Sequence, residues 1–134
     1  MPPADRRPSS PWLRAARVFA VLTLGVVVMM FVTAGEIVQY HRFEDLHGAG
    51  AIALHVTSGG LLVGLTGLAL DRKTGWWAAV LAGALFVFTF VQAAIGEATT
   101  LALHVPGALA VTAATVWLTA WVFYAADATG TARG

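Results

Sequence analysis

The stretch that decides the fold is WWAAVLAGALFVFTFVQAAI, residues Trp76–Ile95. It contains no Asp, Glu, Lys or Arg. A helix needs about 20 mainly apolar residues to cross a hydrocarbon core roughly 30 Å thick, and this stretch supplies them. Two blocks of the same kind precede it, Val18–Val38 and Ala51–Leu70. A fourth, Leu101–Ala125, follows and is long enough to tilt or kink. Strands would cross in about 10 alternating residues, and no such alternation is present. In lipid each segment must pair its own backbone groups. The sequence therefore predicts an all-α, integral membrane four-helix protein.

Composition agrees and narrows the function. Of 134 residues, 58% are hydrophobic and 11% charged, against roughly 45–50% and about 25% in soluble domains. A water-soluble enzyme cannot hide that much apolar surface at this size. Disorder is excluded by the same numbers. A net charge of +1 gives no basic footprint, so no nucleic-acid partner is expected. Cysteine is absent, which removes disulfides, thiolate zinc sites, iron–sulfur clusters and cysteine nucleophiles. No catalytic triad or phosphate loop appears, so no enzymatic activity is assigned.

Short breakers separate the blocks: Gln39–Leu46, Asp71–Gly75 and Gly96–Thr100. Short links favour antiparallel neighbours, hence an up-down-up-down bundle. Arg6, Arg7, Arg14, Arg17, Arg72, Lys73 and Arg133 fall on one side, and Arg42 alone on the other. The positive-inside rule then puts both termini in the cytoplasm of a bacterial inner membrane. Trp12, Trp76, Trp77, Trp121 and Tyr124 fall near that inner face, as an aromatic belt would. The basic start followed by an apolar run is too long for a signal peptide. Residues 1–11 are expected to be disordered, 12–126 to form the membrane domain, and 127–134 a short tail.

The second half echoes the first. Gly35-Glu36 ends block one and Gly96-Glu97 ends block three. LHGAGAIA, residues 46–53, is matched by LHVPGALA, residues 103–110. Two parallel-repeated hairpins follow, related by an axis along the membrane normal rather than inverted as in many transporters. His47 and His104 then lie at matching depth near the outer face.

Few ionisable residues lie in or beside the spans: Glu36, His47, His55, Glu97 and His104. Such groups are functional candidates by default. On block two, His47, Ala51, His55 and Ser58 form one stripe, closing to within about 20° at helical spacing. On block four the matching positions are His104, Ala108, Thr112 and Thr115. The two glutamates end their helices, where the macrodipole disfavours a carboxylate. They are expected to carry raised pKa values if they face the interior.

Two histidines facing each other in a bundle can ligate a metal. Zinc would want further ligands, for which Glu36 and Glu97 are available. Haem iron needs only the axial pair. Gly50, Ala51, Gly107 and Ala108, one turn on from the histidines, leave room for a flat macrocycle. The composition of the stripes favours a bis-histidine haem b, with Arg42 and His41 near its propionates at the outer water. His55, Glu36, Glu97 and His41 are candidates for supporting or proton-path roles.

Val91–Leu101 (VQAAIGEATTL) with Leu103-His104 and Ala108 resembles the third-and-fourth-helix pattern of the haem A synthase family, Gln-x-x-x-Gly-x-x-Thr followed by a histidine helix. Glu36 ahead of His41-Arg42 is similar to that family's first outer loop, with wider spacing. The chain resembles one four-helix half of such an enzyme, over about residues 18–125, and small four-helix bacterial membrane proteins. The resemblance implies a haem b site at His47 and His104. It does not carry over haem A synthesis, which uses two halves.

Three functions are therefore expected to compete. One is a haem b protein for electron transfer or haem handling. Another is a cofactor-free accessory subunit of a larger membrane complex or homodimer, with Gly60, Gly64, Ala79, Ala82 and Gly83 meeting a partner. The third is a proton or solute path through Glu36, His55 and Glu97.

Overall fold

In the computed structural model residues 10–96 and 100–131 are described, with side chains described as far as Tyr124. Four helices account for nearly all of them: α1 Pro11–Tyr40, α2 Glu44–Arg72, α3 Trp76–Ala94 and α4 Leu101–Thr131. Among the described residues there is no strand. All four helices are long and apolar enough to cross a membrane.

The helices are longer than the apolar blocks, for local reasons. Pro11 opens α1, where a proline's missing N–H is not needed and its fixed φ suits the helix. Helix α2 begins at Glu44, ahead of the block predicted from Ala51. Glu44 and Asp45 occupy its first turn, where the macrodipole favours negative charge. The first link shrinks to residues 41–43, with His41 (φ 52) and Phe43 (φ 67) both left-handed. Lys73 (φ 53) and Gly75 (φ 81) turn the second link the same way. Helix α4 runs on to Thr131, past the predicted tail boundary, through the alanine-rich Ala125–Thr129, which has high helix propensity. Of residues 1–11, expected to be disordered, 1–9 lie outside the described residues, while Pro11 already belongs to α1 and the Ser10 carbonyl accepts from Arg14 N–H.

The bundle is a ring: α1 packs on α2 and α4, α2 on α3, and α3 on α4. Its core is Leu61, Leu65, Leu118 and Val122 with small residues Ala16, Ala20, Ala78 and Ala82. Glycines on α2 seat the larger side chains of α1. A Cβ at Gly60 would strike the Phe19 ring, and one at Gly67 the Trp12 ring. At Gly64 it would meet the Ala16 backbone nitrogen at 2.8 Å. This corrects the expectation that Gly60, Gly64, Ala79 and Ala82 face a partner protein. Gly64, Ala79 and Ala82 are buried inside the chain's own bundle, because small residues are what let these helices approach.

Buried hydroxyls are handled within each helix, as lipid requires. Thr23 donates to the Phe19 carbonyl (2.7 Å), Ser58 to Leu54 (2.6 Å) and Thr89 to Phe86 (2.7 Å). At the other side of the bundle from the histidines, Trp77 and Trp121 stack edge to face at 5.3 Å. Ser10 donates to Asp71 there (3.2 Å), and Arg17 donates to the Val122 carbonyl (3.0 Å).

Candidate functional site

His47 is the fourth residue of α2 and His104 the fourth of α4. Both line one cavity of about 410 Å³, within the range of roughly 300–1,000 Å³ usual for small-molecule sites. Its walls come from all four helices. Val27, Met30, Phe31, Ala34, Gly35 and Val38 are from α1, while His47 and Leu54 are from α2. Gln92 comes from α3, and Val105, Ala108 and Val111 join His104 from α4. Among the described residues the wall is apolar apart from His47, His104 and Gln92, and none of its side chains is Asp, Glu, Lys or Arg.

The hydrogen bonds of the two imidazoles fix their chemistry. His104 Nδ1 lies 3.1 Å from the Gln92 main-chain carbonyl. A carbonyl only accepts, so Nδ1 carries the proton, and in the neutral ring Nε2 holds the lone pair. His47 Nδ1 lies 2.8 Å from the Thr33 hydroxyl. That hydroxyl already directs its one proton to the Met29 and Met30 carbonyls, at 3.1 Å each. With its proton so directed it accepts from His47 Nδ1–H, which makes Nε2 the lone-pair nitrogen. An imidazole whose Nδ1–H is anchored to an acceptor is the usual form of a metal-ligating histidine. Both anchors come from the helix preceding the histidine's own.

Thr33 is not marked by any sequence pattern, and Gln92 is marked only as the Gln of the Gln-x-x-x-Gly-x-x-Thr motif. On the Gly35/Gly96 alignment Thr33 matches Ala94, and Gln92 matches Phe31. The repeated pattern thus hides both anchors, because equivalent jobs fall to non-equivalent positions. Gln92 has a further peculiarity. It is only 6% exposed, yet neither atom of its side-chain amide has a hydrogen-bond partner. The amide rests against Gly107, where any Cβ would collide with it. Gly107 is thus required by the close approach of α3.

The other expected site residues are not gathered here. His55 is absent from the cavity wall; its Nδ1 donates to the Ala51 carbonyl, and its ring lies 3.9 Å from that of Phe90 on α3. The stripe drawn through His47 and His55 therefore splits. Leu54, nearly in line with His47 at seven residues' spacing, lines the cavity in its place. Buried His55 Nε2 has no partner. His41 and Arg42 sit exposed in the link between α1 and α2, with the Arg42 guanidinium 5.1 Å from the Phe43 ring. Glu36 is half-buried on α1 and outside the wall. Glu97 lies outside the described residues.

The chain has no match among known families. Family models, curated proteins and solved structures were each compared with it, and none matches.

The donor set discriminates between metals. Among the described residues, no three of His, Cys, Asp and Glu come together as a metal group. A protein-ligated zinc site, which wants three or four such ligands, finds no support there. What the structure does bring together is two imidazoles, one from α2 and one from α4, in an apolar cavity with Ala34, Gly35 and Ala108 in its wall.

Proposed function

We propose that the protein binds haem b in the bacterial cytoplasmic membrane, with His47 and His104 as axial ligands, and serves electron transfer or haem handling. One observation carries this reading: both histidines line one apolar cavity, and the Nδ1 of each is held by a group on the preceding helix, which leaves Nε2 as the ligating atom. Bound haem supplies one-electron chemistry. The protein's part is to hold both ring tautomers through Thr33 and the Gln92 carbonyl, and to exclude charge and bulk water from the iron. Arg42 and His41, in the exposed link, are placed to meet propionates at the water interface.

The same proposal includes the topology. Helices alternate in direction, with both termini cytoplasmic and two hairpins related by an axis along the membrane normal. The order of contacts between helices supports the alternation. Gly60 meets Phe19 while Gly67 meets Trp12. Gly59 meets Phe86, and His55 meets Phe90. Gly107 meets Gln92, and Trp121 meets Trp77. In each pair of helices one series rises as the other falls. The matching fourth-residue positions of His47 and His104 support the repeat. Arg14, Arg17, Arg72 and Lys73 then mark the inner side.

An absorbance spectrum of the detergent-purified protein, oxidised and reduced, tests the reading. A Soret band with the split visible bands of a six-coordinate haem is expected, and His47→Ala or His104→Ala abolishes it. A protein that is colourless and takes up no added haem overturns it.

A further inference from the structure

The cavity is not closed. Phe31, Val38 and Val105 in its wall are 43, 72 and 51% exposed, and Gly35 is exposed beside them. These four lie on α1 and α4, so the cavity opens through the cleft between those helices. All four are apolar, and the polar wall residues are deeper: Gln92 is buried and the two histidines half-buried. Among the described residues the opening thus presents no charge and no hydrogen-bonding side chain. An opening of this composition suits lipid tails better than water.

We propose that the site is loaded sideways from the bilayer, by an amphiphilic, membrane-dissolved ligand passing between α1 and α4, and that Gly35 keeps this portal open. The orphaned amide of Gln92 is the independent sign that a ligand belongs inside, since a buried amide without partners is rare unless something bound completes it. Two features suit the cleft to opening. α1 and α4 are the adjacent pair that no link joins, so their separation is not tied by the chain. Pro106 lies inside α4, two residues after His104 and beside the cavity. It has no N–H to give the Ala102 carbonyl, which loosens the helical turn that carries the ligand.

Gly35 makes the idea testable, because a Cβ there would meet nothing within 4 Å. A larger side chain is accommodated by the fold but fills the mouth. The route rests on the haem reading for its first probe. Wild-type protein and Gly35→Leu are reconstituted in vesicles already containing haem, and the growth of the bis-histidine spectrum is followed in time. Loading of Gly35→Leu is expected to slow by about tenfold or more while reaching the same final spectrum. Glu44→Gln and Asp45→Asn, exposed at the water-side start of α2, should load at the wild-type rate. Equal rates for Gly35→Leu and wild type, or slowing by the water-face variants alone, overturn the route.

A second measurement needs no haem and covers a Gly35→Leu variant that misfolds. The chain has no cysteine, so a single Val105→Cys can be labelled without background. It should react with a membrane-dissolved maleimide and resist a sulfonated one, whereas Arg42→Cys should react with both. Labelling of Val105→Cys by the sulfonated reagent as fast as Arg42→Cys would mean that the mouth faces water, and the proposal fails. A protein that takes up no haem but passes the labelling test loses the haem reading and keeps the portal.

Discussion

Thr33→Val isolates the hydrogen bond that orients His47. Valine matches threonine in shape, and Thr33 is 3% exposed, so the packing is kept while the hydroxyl is removed. The Met29 and Met30 carbonyls lose only an extra donor. His47 Nδ1–H loses its acceptor at 2.8 Å. Leaving a buried donor unpaired costs about 1–3 kcal/mol. Removing the partner of a ligating histidine typically costs roughly 10–100-fold in metal affinity, or about 1.4–2.8 kcal/mol. The two figures agree, so the full effect is assigned to this one bond. The assay is titration of the apoprotein with haem, read at the Soret band, with the reduction potential of the loaded protein measured alongside. Affinity should fall by about 10–100-fold. The potential should rise, because a less basic imidazole stabilises ferric iron less. Thr33→Ser, which keeps the acceptor, should restore both. If Thr33→Val binds haem with wild-type affinity and potential, His47 is not a ligand anchored through Nδ1, and the site argument is refuted.

Other substitutions separate ligation from packing. His55→Leu should leave the haem spectrum unchanged and leave thermal stability unchanged or raised, because it removes a buried imidazole nitrogen without a partner. Gly64→Val should destabilise the bundle by about 1–3 kcal/mol, read by unfolding in detergent, since its Cβ would meet the Ala16 backbone rather than a movable side chain. Gly107→Ala should displace the Gln92 side chain from its seat and weaken haem affinity more than overall stability, which paired titration and melting experiments would resolve.

Much of the fold was legible in the sequence because membrane helices obey a local rule. Length and apolarity of Trp76–Ile95 are enough to require a helix, since its backbone must satisfy itself in lipid. Boundaries were less legible. Glu44 and Asp45 extend α2 because charge at a helix start is stabilised by the dipole, and no hydropathy pattern reads that. The histidine pair was legible as rare polar residues at repeated positions. The stripe joining His47 to His55 was not reliable. Their spacing leaves them about 80° apart around the helix, enough to put one in the cavity and the other against Phe90.

The sequence by itself determined that this chain is four apolar helices carrying few ionisable residues. Composition and spacing suffice for that, because each helix answers to the solvent around it. Only the tertiary structure decided which polar residues meet. Thr33 reaches His47 and the Gln92 carbonyl reaches His104 across neighbouring helices, and the tautomers follow from those contacts. It also turned Gly60 and Gly64 inward onto α1. Contacts between helices depend on which faces pack, and a sequence of nearly uniform hydrophobicity does not mark its faces.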